Sequence, residues 1–468
     1  MPTAEDIAFA GIADQAGLVR RGEVSSRELV QLYLERIERL DPQLNAFRVV
    51  LAEKALAEAA EADSRRSGGE EAPLLGVPVA IKDNVDVAGE LTTHGTRAYE
   101  GIAGKDAEIV RRLRAAGAVV IGKTNLPELA IWPFTESEGW GTTRNPWDPA
   151  RSPGGSSGGA GAAVASGMVG IAQGSDGGGS IRIPAACCGL FGLKPQRGRV
   201  SLMPASQHWH GLSVAGCLSR TVLDSAHFYD AVRGSAPGDA HSAPEPRSSF
   251  VEAAGTRPER LRIAVSTKPI QPGPVASEVK AGVRATAELL RGAGHDVRDH
   301  DPSWGFQLGA FLPRYLAGIR EDALAMPHPE RLERRTRTLA RYGGWLDGRP
   351  LRRALAAESK HARRLGRLFD DFEVLITPTM ARLPVRAGRW ERKGTFSTIN
   401  GVARYVPFTT PWNLTGQPAA AVPAGFSEGG LPLSVQLVGR AGDETTLISL
   451  AAQLESERPW ADRRPAIS

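Results

Sequence analysis

Two glycine-rich tracts bearing serines, and one lysine, are the residues of this sequence whose types and spacing could do chemistry. Arg151-Ser-Pro-Gly-Gly-Ser156-Ser157-Gly-Gly is followed by Asp176-Gly177-Gly178-Gly179-Ser180-Ile-Arg182-Ile-Pro184, with Ser180 twenty-four residues beyond Ser156. A Gly/Ser-rich stretch is ordinarily a flexible linker. Here it is interrupted by an apolar, helix-compatible segment (160–168) and an apolar, strand-like one (169–172). Small hydroxyls held between glycines inside a core point to backbone positions that only glycine adopts. Three glycines directly before Ser180 allow the N–H groups of Gly177, Gly178 and Gly179 to converge beside its hydroxyl, as an oxyanion hole requires.

A serine nucleophile needs a base. Nine histidines are present, and none is marked by its sequence context as the partner of a serine nucleophile. Each histidine reads first as a surface or structural residue, with His94, His208 and His210 the ones that could border a pocket. The other base is lysine, which loses its proton near neutral pH when buried without an acidic partner. Lys82 ends the apolar run Val77–Ile81, whereas most lysines sit on exposed helices. Its alternative reading is a strand-end lysine paired with Asp83 or Asp86, and the residues alone leave both open. Residues 117–124, GAVVIGKT, satisfy the G-x4-G-K-[ST] phosphate-loop pattern, but Ala-Val-Val-Ile between the glycines is a buried strand and cannot cradle phosphate.

These side chains need a scaffold, and the 468-residue chain supplies one with 41% hydrophobic and 23% charged residues, ordinary for a soluble globular protein. The net charge, 57 − 52 = +5, is too small to imply a polyanionic partner. The 13 arginines between 311 and 370 are interspersed with acidic residues and lack an aromatic platform, so solvated helices are expected rather than a nucleic-acid surface. Three cysteines, two of them adjacent, cannot make a disulfide framework or a metal site, which suits a reducing compartment. The first residues do not read as a signal peptide and no run of 18 apolar residues occurs, so a cytoplasmic protein with no membrane span is expected.

The order of elements points to an α/β fold. Ser25 and Glu28 form a capping-box pattern ahead of a helix that should end before Pro42. A second helix is expected over about 51–66, a strand over 77–81, a helix capped by Asp106, and a strand over 118–121. Residues 235–258 read as a surface loop. Strand (261–266), helix (277–293) and strand (296–299) signals follow, then an Arg-rich helical region, strands over 372–377 and 419–422, and a closing helix near 445–455.

Three blocks resemble the amidase signature family of Ser-Ser-Lys hydrolases: Gly76-Val-Pro-Val-Ala-Ile-Lys82-Asp-Asn, Pro153-Gly-Gly-Ser156-Ser-Gly-Gly, and Asp176-Gly-Gly-Gly-Ser180-Ile-Arg-Ile-Pro-Ala. Gly192-Leu-Lys-Pro, Gly198-Arg-Val-Ser, Asn413-Leu-Thr-Gly-Gln-Pro and Gly430-Leu-Pro-Leu-Ser-Val-Gln extend the resemblance over essentially the whole chain outside the Arg-rich region. The resemblance implies a single α/β amidase domain over 1–468, with a mixed central β-sheet wrapped by α-helices. The signature core would occupy about 65–235 and 370–465, and a helical insert about 275–370. It implies Lys82 as base, Ser156 as a bridging serine after a cis peptide, Ser180 as nucleophile, and no metal or organic cofactor. One departure is visible: the family usually carries threonine or another side chain with a β-carbon where this chain has Gly177.

The activity this implies is hydrolysis of an acyl C–N bond through an acyl-enzyme. A carbamate (urethane) or an aryl ester could serve the same triad. The glutaminase subunit of a tRNA-dependent amidotransferase is a weaker reading, since Ile183 and Gly211-Leu-Ser-Val-Ala-Gly replace residues usual there, and a noncatalytic binding protein would require a damaged triad. Aromatic and apolar segments on either side of the signature loops, with Trp132, Phe134, Met203 and Trp209, suggest a pocket for a small apolar or aryl substrate. The partner expected is a small-molecule substrate, and the reading is compatible with a homodimer.

Overall fold

Strands that read as unbroken apolar runs belong to sheets covered on both faces, and Pro78–Lys82 and Val119–Thr124 are buried at every position. The computed structural model describes residues 3–468. In one half of the sheet the strands lie in the order Phe47–Val50, Val119–Thr124, Pro78–Lys82, Ile171–Asp176, Val214–Ser219. The three central ones are parallel and both edges are antiparallel. In the other half the order is Asp296–Asp299, Arg262–Val265, Val374–Pro378, Pro432–Gly439, Ala419–Phe426, Gly192–Lys194. An antiparallel bridge between Phe191 and Ser219, with N–H to O distances of 3.0 and 3.2 Å, joins the two halves edge to edge. The expected mixed α/β sheet is therefore present, wrapped by helices on both faces.

Local chemistry explains where several elements begin and end. Ser25 accepts from the Glu28 amide at 3.1 Å while Glu28 accepts from the Ser25 amide at 2.8 Å, closing the capping box. The helix it starts, Ser26–Leu44, runs through Pro42 instead of stopping before it and ends at Asn45 in the left-handed region (φ 51°). Pro42 falls in the last turn, where one missing N–H interrupts little. Asp106 does not cap the helix Glu108–Ala115, which starts from Ala107 without a side-chain cap. Asp106 instead accepts from the Ala88 amide at 2.7 Å and pairs with Arg114.

The expected insert over about 275–370 is divided. Its first part is sheet: Arg262–Val265, the helix Ser277–Gly292 and the strand Asp296–Asp299 form a parallel β-α-β unit at the sheet edge. The region becomes purely helical from Leu308–Ala325 through Arg334–Leu346, Arg349–Ala356 and Glu358–Gly366 to Leu368–Asp371. Four sheet strands carried no expectation from the sequence: Phe47–Val50, Gly192–Lys194, Val214–Ser219 and Pro432–Gly439. Residues 119–124, the phosphate-loop match, are one buried strand, and Lys123 within it pairs with Asp83 at 2.8 Å.

Candidate active site

Lys82 and Asp176 end neighbouring parallel strands, and ligand sites of open α/β sheets form at such carboxyl ends. Strand alternation sends Lys82 and Asp83 in opposite directions. Asp83 is taken by Arg48 (3.0 Å) and Lys123 (2.8 Å), so it does not pair with Lys82. Lys82 instead points into the site, where its Nζ lies 2.8 Å from Ser156 Oγ and 3.0 Å from Ser175 Oγ. The side chain is fully buried and meets hydroxyls rather than a carboxylate. Burial disfavours its charged form and lowers its pKa from 10.5 to about 7.

Ser156 follows a cis Gly155–Ser156 peptide. Gly155 is needed for closeness: a β-carbon there would lie 2.5 Å from the Phe134 amide nitrogen and 2.7 Å from the Trp132 carbonyl oxygen. Ser180 sits in the turn before the helix Arg182–Cys188, and its carbonyl accepts from the Ser157 amide at 3.2 Å, which holds the two serine loops together. Among the described residues no hydrogen bond joins the Ser156 and Ser180 hydroxyls. Catalytic contacts are often loose in free enzymes, and each hydroxyl turns on a single torsion.

The glycine loop is braced by Asp176. Its carboxylate accepts from the amides of Gly179 (2.7 Å), Ile181 (3.2 Å) and Arg182 (3.4 Å), and from the Arg182 guanidinium at 2.9 and 2.8 Å. The beside-lying Arg182, with a hydrogen bond from Asn413, holds this carboxyl far below the ordinary range against the opposing effect of burial. Gly179 must therefore be removed from the expected oxyanion donors, because its N–H is already committed to Asp176. The amides of Gly177, Gly178 and Ser180 make no hydrogen bond among the described residues and are the free donors of the loop.

Ser180 and Gly178 form part of the wall of a cavity of about 350 Å³, within the range of small-molecule sites. Ile131, Trp132 and Trp209 close one side. Leu308, Phe311, Leu312 and Tyr315 come from one helix, and Ile399, Val402 and Val406 from the segment around the helix Thr395–Tyr405. Gln271, Asn400 and Thr410 are neutral polar contributors, and no charged side chain lines the cavity among the described residues.

Of the four expected pocket residues, Trp132 and Trp209 reach this cavity and two do not. Phe134 is fully buried, stacked between Trp132 (5.6 Å) and Trp390 (4.9 Å), so its ring is part of the core. Met203 lies elsewhere: its carbonyl accepts from the Glu108 amide at 3.0 Å, and its side chain packs near Gly238. The residues missed include those of the segment around Thr395–Tyr405 and, with a signal in the sequence, those of the helix Leu308–Ala325. This helix opens an Arg-rich region but holds only Arg314 and Arg320, and the spacing Leu308, Phe311, Leu312, Tyr315 marks an apolar face. The histidines stand outside the serine–lysine cluster, His208 against Asp322 (3.1 Å) and His210 against Glu321 (3.2 Å).

Sequence and shape together assign the class. A family model described as Amidase matches residues 28–448, and the chain belongs to this family, the amidase signature hydrolases acting on amide C–N bonds. It is 52% identical over 466 residues to the Mycobacterium tuberculosis protein named "Putative amidase AmiB2", with 99% of each chain covered. It is 36% identical to the 6-aminohexanoate-cyclic-dimer hydrolase of a Pseudomonas species, covering 97% of this chain and 96% of that one. Among solved structures, a 6-aminohexanoate cyclic dimer hydrolase complexed with substrate superposes with a TM-score of 0.92 at 33% identity, covering 98% and 99%. A bacterial aryl acylamidase superposes with a TM-score of 0.89 at 26% identity, covering 97% of each.

Proposed function

We propose that the protein hydrolyses small, largely apolar amides, anilides first among them, through an acyl-enzyme on Ser180 formed by a Lys82–Ser156–Ser180 relay. One observation carries the reading: a buried lysine contacting serine hydroxyls and no carboxylate, its pKa pushed down to about 7 by desolvation. A neutral Lys82 amine accepts the Ser156 proton while Ser156 accepts that of Ser180. Ser180 Oγ then bonds to the substrate carbonyl carbon. The oxyanion is met by the amides of Gly177, Gly178 and Ser180, and one such donor is typically worth about 3–4 kcal/mol. As the C–N bond breaks, Ser156 passes a proton to the leaving nitrogen and regains one from Lys82. Water, deprotonated by the same relay, releases the acid.

The uncharged cavity wall supports a neutral apolar substrate. Burial of an aryl ring contributes roughly 2–3 kcal/mol, a preference of one to two orders of magnitude over short polar groups. Similarity to proteins named as an aryl acylamidase and a cyclic amide dimer hydrolase points the same way. Aryl carbamates and aryl esters offer the same carbonyl to the same nucleophile and belong in the same assay.

The test compares kcat/KM for a nitroanilide, an aryl carbamate, acetamide and glutamine in the wild type and in Lys82→Arg. The nitroanilide should lead, with activity rising through about pH 7 as Lys82 loses its proton and staying high in alkali. Lys82→Arg should be nearly inactive, because arginine keeps its proton. Preference for glutamine, or substantial turnover by Lys82→Arg, would overturn the reading.

A further inference from the structure

Trp209 is the aromatic wall nearest the oxyanion loop, and its surroundings are built to hold one indole orientation. Its backbone is left-handed (φ 49°), uncommon for a bulky side chain. Its ring occupies space that a side chain at two glycines would need. A β-carbon on Gly177 would lie 2.7 Å from indole Cε3 and Cζ3, and one on Gly318 would lie 2.5 Å from Cδ1. Tyr315 meets the ring edge-on at 5.0 Å, and His208 stacks beside it at 4.9 Å. The indole Nε1–H donates to Asp322 Oδ2 at 2.8 Å, and His208 Nε2 contacts the same oxygen at 3.1 Å.

Three of these neighbours come from one helix. Tyr315, Gly318 and Asp322 recur at intervals of three and four residues along Leu308–Ala325, below Phe311 on the face that also lines the cavity. The helix thus supplies the cavity wall, the room for the indole and the acceptor that fixes it.

We propose that Asp322 is a positioning residue for substrate selection: it holds the Cε3–Cζ3 edge of the Trp209 indole against Gly177, so that groups beside the scissile carbonyl must be unbranched. This rests on Ser180 as nucleophile and on the cavity as the acyl site. A rigid wall beside Gly177 leaves no room for a branch on the carbon next to the carbonyl, while a straight or planar group slides along it. The missing β-carbon at 177 and the indole at 209 are one feature, since the first makes space for the second.

The experiment measures kcat/KM for three nitroanilides, acetyl, straight-chain hexanoyl and α-branched isobutyryl, in wild type and in five variants. Wild type should favour hexanoyl over isobutyryl. Asp322→Ala and Trp209→Ala should each shrink that ratio about tenfold, the scale of one methylene-sized group in a pocket, and Asp322→Ala should keep acetyl turnover within about threefold of wild type. Asp322→Asn, which keeps an accepting oxygen, should restore the wild-type ratio. Gly177→Ala should lose turnover of all three substrates, and Gly177→Ala with Trp209→Ala should recover it, because the clash is removed. An unchanged ratio in Asp322→Ala, a ratio in Asp322→Asn as low as in Asp322→Ala, or failure of the double variant to recover would overturn the proposal. If acetyl turnover in wild type itself fails, or a fluorophosphonate does not label Ser180, the fault lies in the underlying assignment of the site instead.

Discussion

At the scale of single residues, the decisive quantity is the cost of keeping Lys82 in the protein interior. Its pKa is about 7 when folded and near 10.5 when exposed, so between these values the unfolded chain binds a proton that the folded chain does not. Stability rises with pH wherever the unfolded state holds more protons. This one residue is therefore a burden at neutral pH, relieved as pH climbs towards its ordinary value. Lys82→Met removes the burden. The stability of that variant relative to wild type should fall by about 3 kcal/mol between about pH 7.5 and about pH 10, read from urea unfolding at both values. A constant difference would mean that Lys82 is charged in the folded protein. The residue types legible in the sequence were those whose chemistry is local: a lysine ending an apolar strand, and serines among glycines. The status of Gly179 was not legible, because its amide is claimed by Asp176, and the loop curvature that brings them to 2.7 Å is set by the fold.

At the scale of elements, closeness of backbone to backbone sets the limits. Gly155 lies against the 132–134 segment so tightly that Gly155→Ala must push the two loops apart. Overpacking of this kind costs typically about 1–3 kcal/mol. Gly155→Ala should therefore lower the melting temperature by several degrees and cut turnover, since the same loop presents Ser156; an unaltered melting temperature would show that the loops yield freely. The capped helix Ser26–Leu44 and the buried strands Pro78–Lys82 and Val119–Thr124 could be read from periodicity and capping residues. Gly192–Lys194 and Val214–Ser219 could not, since three residues, or a run of small ones such as VAGCLS, carry no clear period and become strands through their neighbours. The helix Leu308–Ala325 was obscured by the arginines that follow it.

Across the whole molecule, Arg182 is a side-chain tie between the two halves of the sheet, beside the Phe191–Ser219 bridge. It is fully buried, pairs with Asp176 of one half, and donates to Gln436 Oε1 (2.7 Å) of the other, as well as to the Thr409 carbonyl (2.9 Å) and Asn413 Oδ1 (2.7 Å). Removing one partner of a buried pair leaves an uncompensated charge and costs about 3–5 kcal/mol. Arg182→Leu should lose stability on that scale and release the glycine loop, whereas Arg65→Leu, at an exposed pair with Glu70, should change little. Equal effects of the two substitutions would refute the tie. A resemblance spread along the chain made the mixed sheet legible, but the joining of its halves through Phe191, Ser219 and Arg182 depends on residues distant in sequence. The central claim, that this scaffold delivers Ser180 as a nucleophile, is tested most directly by treating the intact protein with a fluorophosphonate and mapping the adduct by peptide mass spectrometry. The account predicts one adduct, on Ser180, lost in Ser180→Ala and strongly slowed in Lys82→Arg; an adduct on Ser157 or Ser175 with Ser180 unmodified would contradict it.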